Sequence, residues 1–235
     1  MSVSTHDVVV GPSPSRLALL WASNIGKKIL MALSGIILFL YVVAHLLGNM
    51  QLYMGAEVIN QYAKFLHSNQ GVLWTARVVL LLAVGVHAIA GIQLWMRKRE
   101  ARPIPYHTRE NIQATAASRT MIVSGVLIGF FVVYHVLDLT MGVARTPSQG
   151  FEELNPAYNV THGFAFAPAA LAYIVAMVAL GFHLWHGVYS MFGTLGLTHP
   201  RYTDSVKKLA AAAATIIALA NISVPVAVLA GLVHY

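Results

Sequence analysis

The stretch Ser34–His45 reads SGIILFLYVVAH, and the stretch Ser124–His135 reads SGVLIGFFVVYH. Each is a Ser-Gly pair, nine residues and then a histidine. Apolar runs of this kind are long enough to lie inside membrane-crossing helices, because a bilayer core takes about 20 apolar residues per helical crossing. A second matched pair accompanies the first: His87-x-x-x-Gly91 and His183-x-x-x-Gly187. A helix pair has been used twice, with one histidine in every helix.

Working outward, the rest of the chain has the same character. Of its 235 residues 57% are hydrophobic and only 10% charged, and mean hydropathy is +0.67. Soluble domains carry roughly 25% charged residues, so the chain reads as an integral membrane protein. Five stretches are long enough to cross: Ile29–Met50, Val72–Met96, Met121–Val143, Phe164–Leu195 and Leu209–Val233. Alternating ten-residue segments, the mark of a barrel, are missing, so the expected fold is all-α, a membrane bundle of five transmembrane helices. Residues 1–26, with Pro12 and Pro14, read as a short tail without the pattern of a cleaved signal. Residues 27–235 read as one membrane domain.

The net charge of +7 would suggest nucleic acid in a soluble protein, but its distribution excludes that partner. With the N-terminus inside, 12 basic residues fall on the inner side (Arg16, Lys27, Lys28, Arg97, Lys98, Arg99, Arg102, Arg109, Arg119, Arg201, Lys207, Lys208) and 3 outside (Lys64, Arg77, Arg145). The positive-inside rule then predicts a multi-pass protein of the cytoplasmic (inner) membrane, in contact with membrane lipid, with its N-terminus cytoplasmic and its C-terminus outside. The basic segment Lys98–Ser118 is a docking face for a soluble partner. Outside, Gly55–Ser68 places Val58, Ile59, Tyr62, Phe65 and Leu66 at helical spacing, as in an amphipathic helix lying on the membrane. Arg145–Thr161, with Pro147, Gly150 and Pro156, reads as an irregular loop. Cysteine is absent, which excludes disulfides, thiolate haem ligation and iron–sulfur clusters held by this chain.

An ionisable side chain in a bilayer is costly and marks function. His45 and His135 each lie roughly 24–25 Å along their helices from the last inner basic residue, and His87 lies about 15 Å from the inner boundary. His183 comes late in an inward-running helix. Depth therefore pairs His45 with His135 near the outer face and His87 with His183 in the inner half. Two stacked bis-histidine sites suit two b-type haems. Zinc or di-iron would want three or more ligands, with carboxylates nearby. Gly91 and Gly187 leave room for a macrocycle, while Ser34 and Ser124, three turns before His45 and His135, are candidate contacts to haem edges or propionates. His186, three residues from His183, is the rival ligand; matching the two His-x-x-x-Gly units favours His183 and leaves His186 as a candidate contact to a haem propionate or support for the ligand. His6, His107, His199 and His234 fall in tails or loops.

These residues resemble the membrane anchor of succinate dehydrogenases and fumarate reductases, in the group with a single five-helix, dihaem cytochrome b subunit. The likeness rests on His45-Leu46, Gly55-Ala56-Glu57-x-x-Asn60, Val86-His87-Ala88 with Gly91, Tyr134-His135-Val136, and Phe182-His183 with Gly187 and Tyr189. It implies that His45, His87, His135 and His183 are the axial ligands. It also implies a flavoprotein and an iron–sulfur protein docked on the cytoplasmic side, with electrons from succinate passing to a quinone, usually menaquinone. Relatives place an acidic residue for quinone proton exchange after the first helix; here that place falls on or near His67, with Glu57 and Gln51 as alternatives. A histidine can exchange protons at neutral pH. Other dihaem cytochromes b (of hydrogenases or formate dehydrogenases) would share the ligands, and a transporter built from repeats would use the histidines as a proton relay without pigment.

Overall fold

Ser23 opens the first crossing. Its hydroxyl accepts from the Gly26 N–H at 2.9 Å, capping a helix that then meets an unbroken apolar run. The computed structural model describes residues 15–101 and 116–235. Pro12 and Pro14, His6 and His107, Arg102 and Arg109, and most of the basic segment expected to dock a partner lie outside these residues. The described helices are α1 (Arg16–Ala22), α2 (Asn24–Met50), α3 (Ala56–Ser68), α4 (Gln70–Glu100), α5 (Ala116–Arg119), α6 (Met121–His135), α7 (Pro156–Ala165), α8 (Ala167–Thr194) and α9 (Thr203–Leu229). Among the described residues there are no strands, and five helical segments are long and apolar enough to cross a membrane. The protein is an all-α, multi-pass membrane bundle.

Local chemistry sets the helix ends. α2 tightens into a 3-10 turn over Gln51–Met54 and stops at Gly55, whose φ of 121° a side chain would resist. Asn69 caps α4 through the Val72 N–H at 3.1 Å. The far end of α4 carries Arg97, Lys98 and Arg99, cations that suit a helix C-terminus. α6 passes into a π-helical turn over Val136–Thr140, of the kind that gathers at functional sites.

Three expectations change. The expected N-terminal tail contains a helix, α1, capped by Ser15 and packed on α2. The segment expected to be an irregular loop turns helical at Pro156, because Asn155 caps it and proline is preorganised for a first turn. The fourth crossing starts at Ala167 instead of Phe164, since Pro168 has no N–H to continue α7 and Phe166 becomes extended. α3 sits where an amphipathic helix was expected, but it is fastened from below: Ile59 is buried, and Asn60 bonds to Asn155 at 2.8 Å and to the Ala157 N–H at 3.1 Å.

α2 packs on α4, α4 on α6, α6 on α8 and α8 on α2, closing a ring of four helices, with α9 outside against α8 and α2. The diagonals α2–α6 and α4–α8 are not among the packed pairs. Successive crossings alternate in direction, so Lys27, Lys28, Arg97, Lys98, Arg99, Arg119, Arg201, Lys207 and Lys208 gather at one end of the bundle, here called the basic face. At the other end a cluster including Leu52, Ile59, Ala157, Phe164, Tyr173 and Val228 forms a packed apolar core.

One ion pair secures that second end. Arg145 Nε lies 2.9 Å from Asp138 Oδ1, with both side chains almost wholly buried. The same guanidinium donates to the carbonyls of Asp138 (3.2 Å), Gly150 (3.0 Å) and Asn159 (2.5 Å), so it gathers the segment between α6 and α7 around itself. Removing one partner of a buried pair costs about 3–5 kcal/mol. Arg145→Met is therefore expected to lower the thermal unfolding temperature of the detergent-purified protein strongly. Lys207→Met, which removes the exposed pair with Asp204 and a surface contact of the ammonium with the Tyr189 ring at 5.7 Å, should change it far less.

Candidate functional site

The four histidines lie on the four ring helices and face each other along the diagonals. His45 on α2 meets His135 on α6 with ring centroids 5.7 Å apart. His87 on α4 meets His183 on α8 at 6.1 Å. A metal–nitrogen bond of about 2 Å, with the nitrogen about 1.2 Å from its ring centre, sets two imidazoles trans on one metal about 6.4 Å apart. Both pairs stand close to that spacing. Among the described residues no three His, Cys, Asp or Glu side chains come together as a metal-binding group, so each pair offers two nitrogen donors and no third ligand.

Hydrogen bonds fix which nitrogen three of the four rings present. His87 Nδ1 lies 3.0 Å from the Met31 carbonyl, which can only accept, so the ring proton is on Nδ1 and the lone pair on Nε2. His183 Nδ1 lies 3.3 Å from Ser124 Oγ. That hydroxyl donates to the Met121 carbonyl at 3.1 Å, so its oxygen accepts from the imidazole. His135 Nδ1 lies 3.3 Å from the Tyr173 hydroxyl, whose own proton goes to Asp138 Oδ2 at 2.9 Å. Three of the four imidazoles are thus held in the tautomer that leaves Nε2 free, the arrangement typical of metal-ligating histidine. His45 is flanked on its own helix by Tyr41, stacked at 5.5 Å between centroids.

The Ser-Gly pairs serve the basic-side histidines, not those that follow them in sequence. A Cβ on Gly35 would lie 3.3 Å from His87 Cε1, and one on Gly125 would lie 3.4 Å from His183 Cε1. Both glycines let an imidazole from the neighbouring helix lie against the backbone. Ser34 returns its hydroxyl to the carbonyls of Leu30 (2.7 Å) and Met31 (3.1 Å). Around the same pair, a Cβ on Gly187 would meet nothing within 4 Å, and one on Gly91 only the flexible Met31 thioether at 3.8 Å.

The remaining candidates stand apart. His186 bonds through Nε2 to Ser190 at 3.0 Å on its own helix, so it is His183 that is set opposite His87. His67, near the end of α3, has Nδ1 2.9 Å from the Ala63 carbonyl. Glu57 accepts from Gln61 at 2.8 Å, and Gln51 lies in the 3-10 turn. His199 lies between α8 and α9, and His234 beyond α9. Sequence reasoning missed Tyr173, Asp138 and Arg145 as partners of a histidine. It also missed the longer repeat Met31-x-x-Ser34-Gly35 and Met121-x-x-Ser124-Gly125, whose first carbonyls take part in both basic-side anchors.

The succinate dehydrogenase/fumarate reductase transmembrane subunit model matches residues 98–222, more than half of the chain. The match takes in α6, α8 and most of α9, and so His135 and His183, while His45 and His87 precede it. The protein is a transmembrane subunit of the succinate dehydrogenase/fumarate reductase family. No curated protein and no solved structure matches it.

The contact between Gly35 and His87 can be tested by packing alone. Gly35→Val drives branched carbons into the imidazole, and overpacking of this kind costs about 1–3 kcal/mol. Gly85→Val on α4 meets nothing within 4 Å of its Cβ. The first variant should unfold in detergent at a clearly lower temperature than wild type, and the second close to it.

Proposed function

We propose that this subunit is the dihaem cytochrome b anchor of a succinate:quinone oxidoreductase in the cytoplasmic membrane. His87 and His183 hold one haem b toward the basic face, and His45 and His135 hold a second toward the opposite face. The observation that carries this reading is the pair of facing imidazoles on each diagonal, at 5.7 and 6.1 Å, with Nε2 freed in three rings of four. Each pair would hold a haem iron through two imidazole nitrogens, and among the described residues no third His, Cys, Asp or Glu side chain joins either pair. Gly91 and Gly187, one turn after His87 and His183, border open space, since a Cβ on either would meet no other residue nearer than the Met31 thioether at 3.8 Å.

When bound, haem supplies reversible one-electron storage; everything else falls to the chain. The Met31 carbonyl, Ser124 and Tyr173 hold three imidazoles in the ligating tautomer. The ring helices stack the two sites along the bundle, one near each face. The basic face, cytoplasmic by the positive-inside rule, docks the flavoprotein and the iron–sulfur protein whose clusters deliver electrons to this cysteine-free chain. A quinone, menaquinone by resemblance, exchanges electrons at the opposite face. His67 lies at that end, with Nδ1 on its own helix and Nε2 left to exchange a proton.

The absorption spectrum of the purified protein tests the centre of this reading. Dithionite should develop the bands of two b-type haems, and their absence overturns the proposal. His45→Ala and His135→Ala should each lose the same haem, and His87→Ala and His183→Ala the other, while His186→Ala keeps both. The quinone assignment has its own measurement in the intact complex. His67→Gln should keep both haems and slow quinone reduction by succinate about 10²-fold, the scale of a lost proton-transfer group. Full turnover in that variant removes His67 from the site.

A further inference from the structure

The two histidine pairs are anchored by chemically different groups. His87 rests on a neutral backbone carbonyl, and His183 on a serine hydroxyl that leads to another. His135 rests on Tyr173, and Tyr173 on a carboxylate. Asp138 is 1% exposed and uses both oxygens. Oδ2 accepts the tyrosine proton at 2.9 Å, and Oδ1 faces Arg145 Nε at 2.9 Å, close in charge but out of line for a directed hydrogen bond. The tyrosine ring is fixed edge-on against Phe164 (4.7 Å) and Phe131 (5.0 Å), so the relay has one geometry.

We infer that Tyr173 and Asp138 are positioning residues that lower the reduction potential of the haem held by His135, by passing carboxylate charge to its imidazole. This rests on the dihaem reading above. A chain of hydrogen bonds ending in an anion polarises each member, making His135 Nε2 a stronger donor. A stronger donor favours the oxidised iron, and hydrogen bonding to an axial ligand is one of the protein's controls over haem potential. The neutral anchors of His87 and His183 give no such bias, so the chain sets its two centres apart in potential by choice of anchor.

Redox titration of the visible spectrum of the intact complex tests this, with the His135 haem identified by its loss in His135→Ala. Tyr173→Phe keeps the packed ring and cuts the relay. It should raise the potential of that haem and leave the other where it was. Asp138→Asn should shift the same haem in the same direction. If Asp138→Asn fails to assemble because Arg145 loses its partner, Tyr173→Phe alone decides. Two haems at wild-type potentials in Tyr173→Phe, or equal shifts of both, overturn the inference while leaving the dihaem reading intact. A wild-type protein without haem overturns both.

Discussion

Three imidazole N–H groups, each held by an acceptor on the neighbouring helix, are the constraint on which the site depends. His87 on α4 is held by α2, His183 on α8 by α6, and His135 on α6 by α8. The bonds therefore run within the helix pairs α2/α4 and α6/α8, while the imidazoles face each other between the pairs. Polar bonds between helices in a bilayer contribute on average only about 0.6 kcal/mol each. Their value here is orientation. Each fixes a tautomer and a ring direction, and without them an imidazole could turn its N–H toward its partner.

That division explains why the sequence repeats as it does. A helix pair is the smallest unit that can both carry a histidine and hold it. Met31-x-x-Ser34-Gly35 supplies a carbonyl and a bare backbone to His87, and Met121-x-x-Ser124-Gly125 supplies a serine hydroxyl and a bare backbone to His183. Two such units set side by side close the four-helix ring, and their histidines meet on the diagonals. The family match, beginning at residue 98, covers the second unit, and the first repeats its pattern.

Much of this was legible in the amino-acid order. Hydropathy marks all five crossings, because the bilayer leaves helices as the only spanning element with apolar side chains. Helical rise places His45 with His135 and His87 with His183 by depth, which needs no tertiary information. What could not be read concerns contacts between helices. Ser34 and Ser124 lie on the turn that faces the histidine of the neighbouring helix, and no spacing along one helix reveals a neighbour's depth. The break at Phe166 was signalled by Pro168 but lay inside an apolar run that hid it. Asp138 follows His135 by only three residues in the sequence, yet its link to that histidine runs through Tyr173 on another helix, 35 residues away.

The contrast between the two ends follows from what each must do with charge. Toward the basic face the histidine anchors are carbonyls and hydroxyls, groups that can lie within the bilayer once hydrogen bonded. At the opposite face the anchor is a full ion pair, and an isolated carboxylate at that level would be prohibitive. Arg145 makes it tenable: its guanidinium meets Asp138 on one side and three backbone carbonyls on the others, so the charge is shared with the segment that closes the bundle. The π-helical turn over Val136–Thr140 carries Asp138, three residues beyond His135. In that position the acid takes Arg145 on one oxygen and Tyr173 on the other. One aspartate thereby serves two ends, closing the fold through Arg145 and setting the histidine through Tyr173. The structural and functional roles of this end of the molecule therefore cannot be separated by simple deletion, only by changes that spare the ion pair and cut the tyrosine.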